Sequence, residues 1–312
     1  MSTAGLLLPG SAMASQWPER PVRMVVPFAA GGATDLLGRA LGVELGRAWK
    51  QSVIVDNRGG AGGALGAEVV ARASADGLTL LLASGSMFTV NPHIYQKLPY
   101  SDKSFEMITK VAGGPMVVTI NSEVPAKNLQ ELIALGKKKP GSLSYASAGN
   151  GSQVHMAGAA FADASDLDLV HVPYKGEGPA YADLMAGVVQ MAVGNINAIS
   201  PLLKGGRLRA LAVTGAERSP LLPEVPTASE AGLPGFEFVG WFGLVTPAGT
   251  PQALIAKIDA DVRAASEQPG MKRYLADQGM YPMATGPDAM KRDIPKESQR
   301  WKTLVSKRNI KA

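Results

Sequence analysis

The residue types that covalent or metal chemistry requires are sparse in this chain. It has no cysteine, and its three histidines, His93, His155 and His171, lie far apart in sequence. The lack of cysteine removes thiol nucleophiles, disulfides and Cys-based metal sites together. No nucleophile elbow of the form Gly-x-Ser-x-Gly occurs: Ser152 follows Asn150-Gly151 and precedes Gln153-Val154, and Ser84 follows Leu82-Ala83. His-Glu-x-x-His is absent, as is the Gly-Lys-Ser/Thr of a phosphate loop. Gly60-Ala61-Gly62-Gly63-Ala64-Leu65-Gly66 follows a strand pattern, but Leu65 stands where a dinucleotide fingerprint needs its third glycine. No catalytic residue, metal ligand set or cofactor is therefore assigned.

What the sequence does offer is a set of small, polar, uncharged loops. Phe28 to Asp35 contains Gly31-Gly32-Ala33-Thr34, Ser84-Gly85-Ser86 is a second, and Ser147-Ala148-Gly149-Asn150-Gly151-Ser152 a third. Backbone N–H groups, hydroxyls and amides of this kind hold a carboxylate without a salt bridge. One such loop reads equally well as a tight turn between strand and helix; several together favour binding. A helix opening beside a glycine loop leaves free N–H groups and the positive end of its dipole, a natural anion site. Thr34 or Asp35 is expected to cap the first helix and Ser152 to open another. His155, in the first turn after the Asn150 loop, fits either ligand contact or local packing, whereas His171 inside an apolar strand reads as a hydrogen-bonded core residue.

The elements that carry these loops alternate strand and helix. Strands are read at 23–28, 52–56, 78–83, 116–120, 143–147, 169–174, 188–193 and 208–213, with helical periodicity between most of them. Residues 219–235 form a Pro- and Gly-rich connection, and Phe236–Val245 returns as an extended segment. Thr250-Pro251 reads as a helix start, and Pro295 should kink or split the last helix. The alternation predicts an α/β fold of two lobes. Residues 15–115 form the first, 116–240 the second, and 241–312 return to the first. Crossings near 116–124 and 236–245 make a two-strand hinge beside an interlobe cleft. Such a molecule suits closure on a small ligand.

The 312 residues are 46% hydrophobic with no run of 18 apolar residues, so no transmembrane helix is expected. The net charge of +5 is concentrated at residues 291–312, where eight Lys and Arg face two Asp and Glu, leaving the remainder at about −1. That pattern reads as a solvated helix face, and nothing elsewhere supports nucleic-acid binding. Leu6-Leu7-Leu8 followed by Ala12-Met13-Ala14-Ser15 has the form of the end of a secretory signal, though it lacks a basic start. Residues 1–14 are thus expected to be removed; a plain tail is the alternative.

Ordered motifs run nearly the whole length from Trp17. They include Trp17-Pro18-x-Arg20-Pro21-Val22-Arg23, Val26-Pro27-Phe28-x-x-Gly31-Gly32-x-Thr34-Asp35 and Val55-Asp56-Asn57-Arg58-x-Gly60-Ala61-Gly62-Gly63. Tyr145 to Ser152, His171-Val172-Pro173-Tyr174-Lys175-Gly176 and Pro223-x-Val225-Pro226-Thr227 continue the series. In these the chain resembles the Bug family, the periplasmic solute receptors of tripartite tricarboxylate transporters. The resemblance implies a two-lobed type II periplasmic-binding-protein fold and a receptor, not an enzyme. It also implies a monomer in the periplasm that binds a small carboxylate in the cleft and delivers it to membrane components of the transporter. Carried over residue by residue, the ligand-binding positions are Phe28, Gly31, Gly32, Ala33, Thr34, Asp35, Ser84 and Ser86 in the first lobe. In the second they are Ser147, Ala148, Gly149, Asn150, Ser152, His155, Tyr174 and Asn195. Gly194 departs from the pattern, since an acidic residue often precedes that asparagine. A nucleotide-dependent α/β enzyme, a dehydrogenase or transferase, is the rival reading.

Overall fold

The computed structural model describes residues 17–312, so the apolar start and the Ala12-x-Ala14 cleavage signature lie outside the described residues. The chain begins with β1 (Val22–Val26), α1 (Ala33–Trp49), β2 (Val53–Asn57), α2 (Ala64–Ala71) and β3 (Thr79–Ser84). Two short helices, α3 (Ser86–Thr89) and α4 (Asn91–Ile94), lead to the long strand β4 (Phe105–Asn121). There follow α5 (Leu129–Lys138), β5 (Leu143–Ser147), α6 (Gln153–Ala164), β6 (Leu169–Pro173), α7 (Glu177–Met185) and β7 (Met191–Asn195). The remaining elements are α8 (Ile196–Leu203), β8 (Leu208–Val213), β9 (Val239–Pro247), α9 (Gln252–Glu267), α10 (Pro269–Asp277), β10 (Tyr281–Pro282) and α11 (Gly286–Lys307).

One ten-stranded sheet runs β2-β1-β3-β9-β4-β7-β5-β6, with β8 and β10 also paired to β4. β1, β2 and β3 are parallel, as are β5 and β6, whereas β4 is antiparallel to each of its partners. β4 is the element that joins the two halves. Its residues 105–115 pair with β9, and residues 116–121 pair with β7 and β8. The sequence predicts only the second half of this strand. Lys110 and Gly113-Gly114-Pro115 carry weak strand propensity, and register shifts beside Met107 and Lys110 absorb the irregularity.

Each half buries apolar side chains against its sheet. Met24, Leu37, Leu82 and Phe242 of one half share a core cluster with Tyr181, Leu184 and Ile199 of the other. A second cluster gathers Met116, Val118, Tyr145, Phe161 and Phe238, and Trp301 of α11 joins it. Met290 and Ile294, earlier on α11, pack instead with Val25, Leu81 and Trp241. α11 therefore touches both halves. Of the kink or split expected at Pro295, the split does not occur: the helix is continuous from Gly286 to Lys307. Side-chain anchors on either side hold it, Lys110 Nζ to Asp293 at 2.7 Å and Lys307 Nζ to Asp163 at 2.8 Å.

Two expected helix caps also differ. α1 has Gly32 at its N-cap with no side-chain cap, and Asp35 sits inside the first turn. α9 starts at Gln252 with Pro251 at the cap position, so Thr250 lies one residue outside it. Thr250 Oγ1 is engaged with the Pro247 carbonyl at 2.8 Å. Ser152 does cap α6, accepting from His155 N at 3.2 Å. No helix among the described residues is long and apolar enough to cross a membrane.

Candidate functional site

The amino-terminal ends of α1 and α6 face a common narrow cavity between the two halves. Its first-half lining is Phe28, Gly32, Thr34, Ser84 and Phe242. Its second-half lining is Ala148, Ser152, Gln153, Val154, Glu177 and Asn195. The βα loops lie here because parallel strands deliver them to the carboxyl edge of each half. Three contacts close the halves over the cavity. Ala29 N donates to the Lys175 carbonyl at 3.1 Å, Tyr95 OH to the Asn150 carbonyl at 2.9 Å, and Ala33 N to Glu177 Oε2 at 2.8 Å.

Glu177, at the first position of α7, is the one ionisable side chain lining the cavity. It is buried, and its two oxygens are supplied entirely by uncharged donors. Oε1 accepts from the Tyr181 hydroxyl, from Asn195 Nδ2 at 2.9 Å and from Asn195 N at 3.3 Å, while Oε2 accepts from Ala33 N. This carboxylate is thus the tertiary cap that α1 lacks locally, seated where the helix dipole favours negative charge. Gly194 is required for that geometry. A Cβ there would stand 1.9 Å from the Tyr181 hydroxyl oxygen. The acid that the resemblance leads one to expect before Asn195 is absent, and a carboxylate reaches Asn195 from Glu177 instead. Gly32 is also constrained, since its Cβ would press on Glu177 at 3.2 Å.

Gln153, buried at the start of α6, accepts from Trp241 N at 3.2 Å through Oε1, and its Nε2 has no partner. Ser84 and Ser86 share a hydroxyl–hydroxyl bond at 2.8 Å, which fixes Ser84 at the cavity wall.

Of the residues expected at the site, Phe28, Gly32, Thr34, Ser84, Ala148, Ser152 and Asn195 line the cavity. Ala33 is not in the lining; its N–H is taken by Glu177. Asp35 turns away and builds the loop, accepting from Gly31 N at 3.0 Å, Asn57 Nδ2 at 3.0 Å and Arg39 Nε at 3.1 Å. Burial works to raise its pKa, but these donors hold it below the ordinary carboxylate range. Ser147 pairs with His171 Nε2 at 2.6 Å and receives Gly149 N at 3.1 Å. His155 accepts from Gly151 N at 3.0 Å and stacks on His171 with centroids 3.8 Å apart. Ser147 and His155 therefore brace the 147–152 loop from behind. Burial lowers the His155 pKa to about 3, with neighbouring His171 adding to the effect, and burial lowers that of His171 to about 4. Gly149, Asn150 and Tyr174 lie outside this lining, in a separate, more open hollow with Gly60, Ala61 and Tyr95.

Gln153, Val154, Glu177 and Phe242 were not anticipated. Glu177 carried a weak signal, an acid between two glycines directly after a strand. Gln153 and Val154 follow immediately on a predicted loop. Nothing in the sequence marked Phe242. Among the described residues no cluster of three or more His, Cys, Asp or Glu could hold a metal ion.

Comparison with known proteins finds relatives similar in sequence and fold. The periplasmic binding protein BugD is 34% identical with a TM-score of 0.90, over 95% of this chain and 99% of that one. Rpa4515 of R. palustris, solved with adipate, is 32% identical with a TM-score of 0.91, over 95% and 99% of the two chains. MatC from Rhodopseudomonas palustris, solved with malate, is 33% identical with a TM-score of 0.87, over 93% and 100%. The model of the tripartite tricarboxylate transporter family receptor matches residues 37–310, and the chain belongs to that family of solute-binding receptors.

Proposed function

We propose that this protein is a periplasmic receptor that closes two lobes on a small organic acid and presents it to the membrane components of its transporter. The lobes are residues 15–115 with 241–312, and residues 116–240, with α11 strapped across both. It acts as a monomer and without a cofactor. The observation that carries this reading is the cavity between the starts of α1 and α6, lined by Thr34, Ser84, Ser152, Asn195 and the free amide of Gln153. Each hydrogen bond from such donors to a carboxylate contributes roughly 1.5–3 kcal/mol. Two relatives of the same fold hold adipate and malate. Thermal-shift screening against a carboxylate panel tests the reading. A ligand at 100 times its dissociation constant should stabilise the protein by about 2.7 kcal/mol. A protein that no carboxylate stabilises, but that a nucleotide does, would return the enzyme reading.

A further inference from the structure

We propose that Glu177 sets the class of acid: a solute with one carboxylate, held at the α6 pole, and a cationic or hydrogen-bond-donating group at the other end, facing Glu177. The inference rests on the receptor reading above and narrows it.

The two poles of the cavity are chemically unlike. The α1 pole is already filled by a carboxylate that belongs to the protein. Glu177 takes the Ala33 N–H that an incoming anion would need. It is 5% exposed, and none of its four donors is a cation. A carboxylate offers about four acceptor sites, two on each oxygen. Oε1 is fully subscribed, whereas Oε2 receives only Ala33 N and retains room for one more donor. The α6 pole is the reverse. Gln153 is 6% exposed, and its Nε2 is a donor with no acceptor. It sits at the first position of a twelve-residue helix whose dipole favours an anion. A buried donor without an acceptor at one pole and a buried anion with a spare acceptor site at the other define a ligand with matching ends. A second carboxylate would instead be forced against Glu177 at low dielectric, where like charges repel strongly.

The test is calorimetric titration of the full chain and its Glu177→Gln and Glu177→Ser variants with chain-matched sets. These are straight-chain monocarboxylates, ω-amino carboxylates and dicarboxylates from three to eight carbons, with benzoate, 4-aminobenzoate and terephthalate as the aromatic set. In the best-binding set, the unaltered protein should take the amino acid at least 10-fold more tightly than the diacid. Glu177→Gln should shrink that preference at least 10-fold, and Glu177→Ser should shrink or reverse it. Tight binding of a diacid by the unaltered protein, with a ratio that Glu177→Gln does not move, overturns the inference and leaves the receptor reading standing. So does a plain monocarboxylate that outcompetes its ω-amino partner. If the variants fail to fold, the ratio in the unaltered protein decides alone. Failure of every compound to bind would remove the receptor reading and the inference together.

Discussion

The Tyr95 hydroxyl donates to the backbone carbonyl of Asn150 at 2.9 Å, so one side chain from the first half fastens the 147–152 loop of the second. Tyr95→Phe removes this bond and leaves the ring. It should weaken solute binding by about 0.5–1.5 kcal/mol, the net value of a neutral hydrogen bond, mostly through faster release. Stopped-flow dissociation of a bound acid measures it. Unchanged release would mean that the bond adds nothing to closure.

Gly62 meets the same loop from below. A Cβ on it would stand 1.9 Å from the Asn150 carbonyl oxygen. Its φ of +57° lies in the left-handed region, which costs alanine roughly 1–2 kcal/mol by itself. Gly62→Ala should therefore lower stability slightly and hold the halves apart. Small-angle scattering should show a larger radius of gyration and no compaction on adding solute. Normal compaction would show that the loops can part without loss of closure.

Ser147 is fully buried and pairs with His171 and the Gly149 N–H. Ser147→Ala strands both, and should cost about 1–3 kcal/mol of stability. Binding should weaken too, because the 147–152 loop loses its brace. Urea denaturation alongside titration separates the two effects.

The stacked histidines predict a pH dependence. Folding lowers His155 to about 3 and His171 to about 4, against 6.5 unperturbed. Below pH 6.5 the unfolded chain binds protons that the native state refuses, so stability falls as pH falls. Each histidine contributes at most about 1.4 kcal/mol per pH unit in that window. Denaturation midpoints between pH 7 and 5, above the main carboxylate range, should decline in the unaltered protein and more shallowly in His171→Gln. Parallel profiles would place the protons elsewhere.

Arg58 directly precedes the glycine run 59–63, yet it pairs with Asp56 at 3.0 Å and is half exposed. Arg58→Gln should change stability by less than about 1 kcal/mol and leave solute affinity intact. Abolished binding in a folded variant would favour a salt-bridge model of recognition.

The α/β alternation and most strands were legible because apolar runs and glycine loops are local signals. The half of β4 before Met116 was not, since its pairing with β9 overrides the weak propensity of Lys110 and Gly113-Gly114-Pro115. Seven of the eleven residues lining the cavity were legible for the same local reason. Glu177 was not, because the cap of α1 comes from 144 residues away in the chain. Gly194 could be seen as a departure, but only the Tyr181 hydroxyl beside it explains why a side chain is excluded there.

α11 touches both halves, with Met290 and Ile294 on one and Trp301 and Val305 on the other. If the halves are the two lobes proposed above, a helix packed on both should resist twist and shear between them. The expected motion is then a single swing that widens the gap around Ala61 and Asn150. The chain has no cysteine, so one thiol placed on each lip would carry a dye pair without background labelling. The distance between the dyes would then read out cavity occupancy as one coordinate, making the receptor its own gauge.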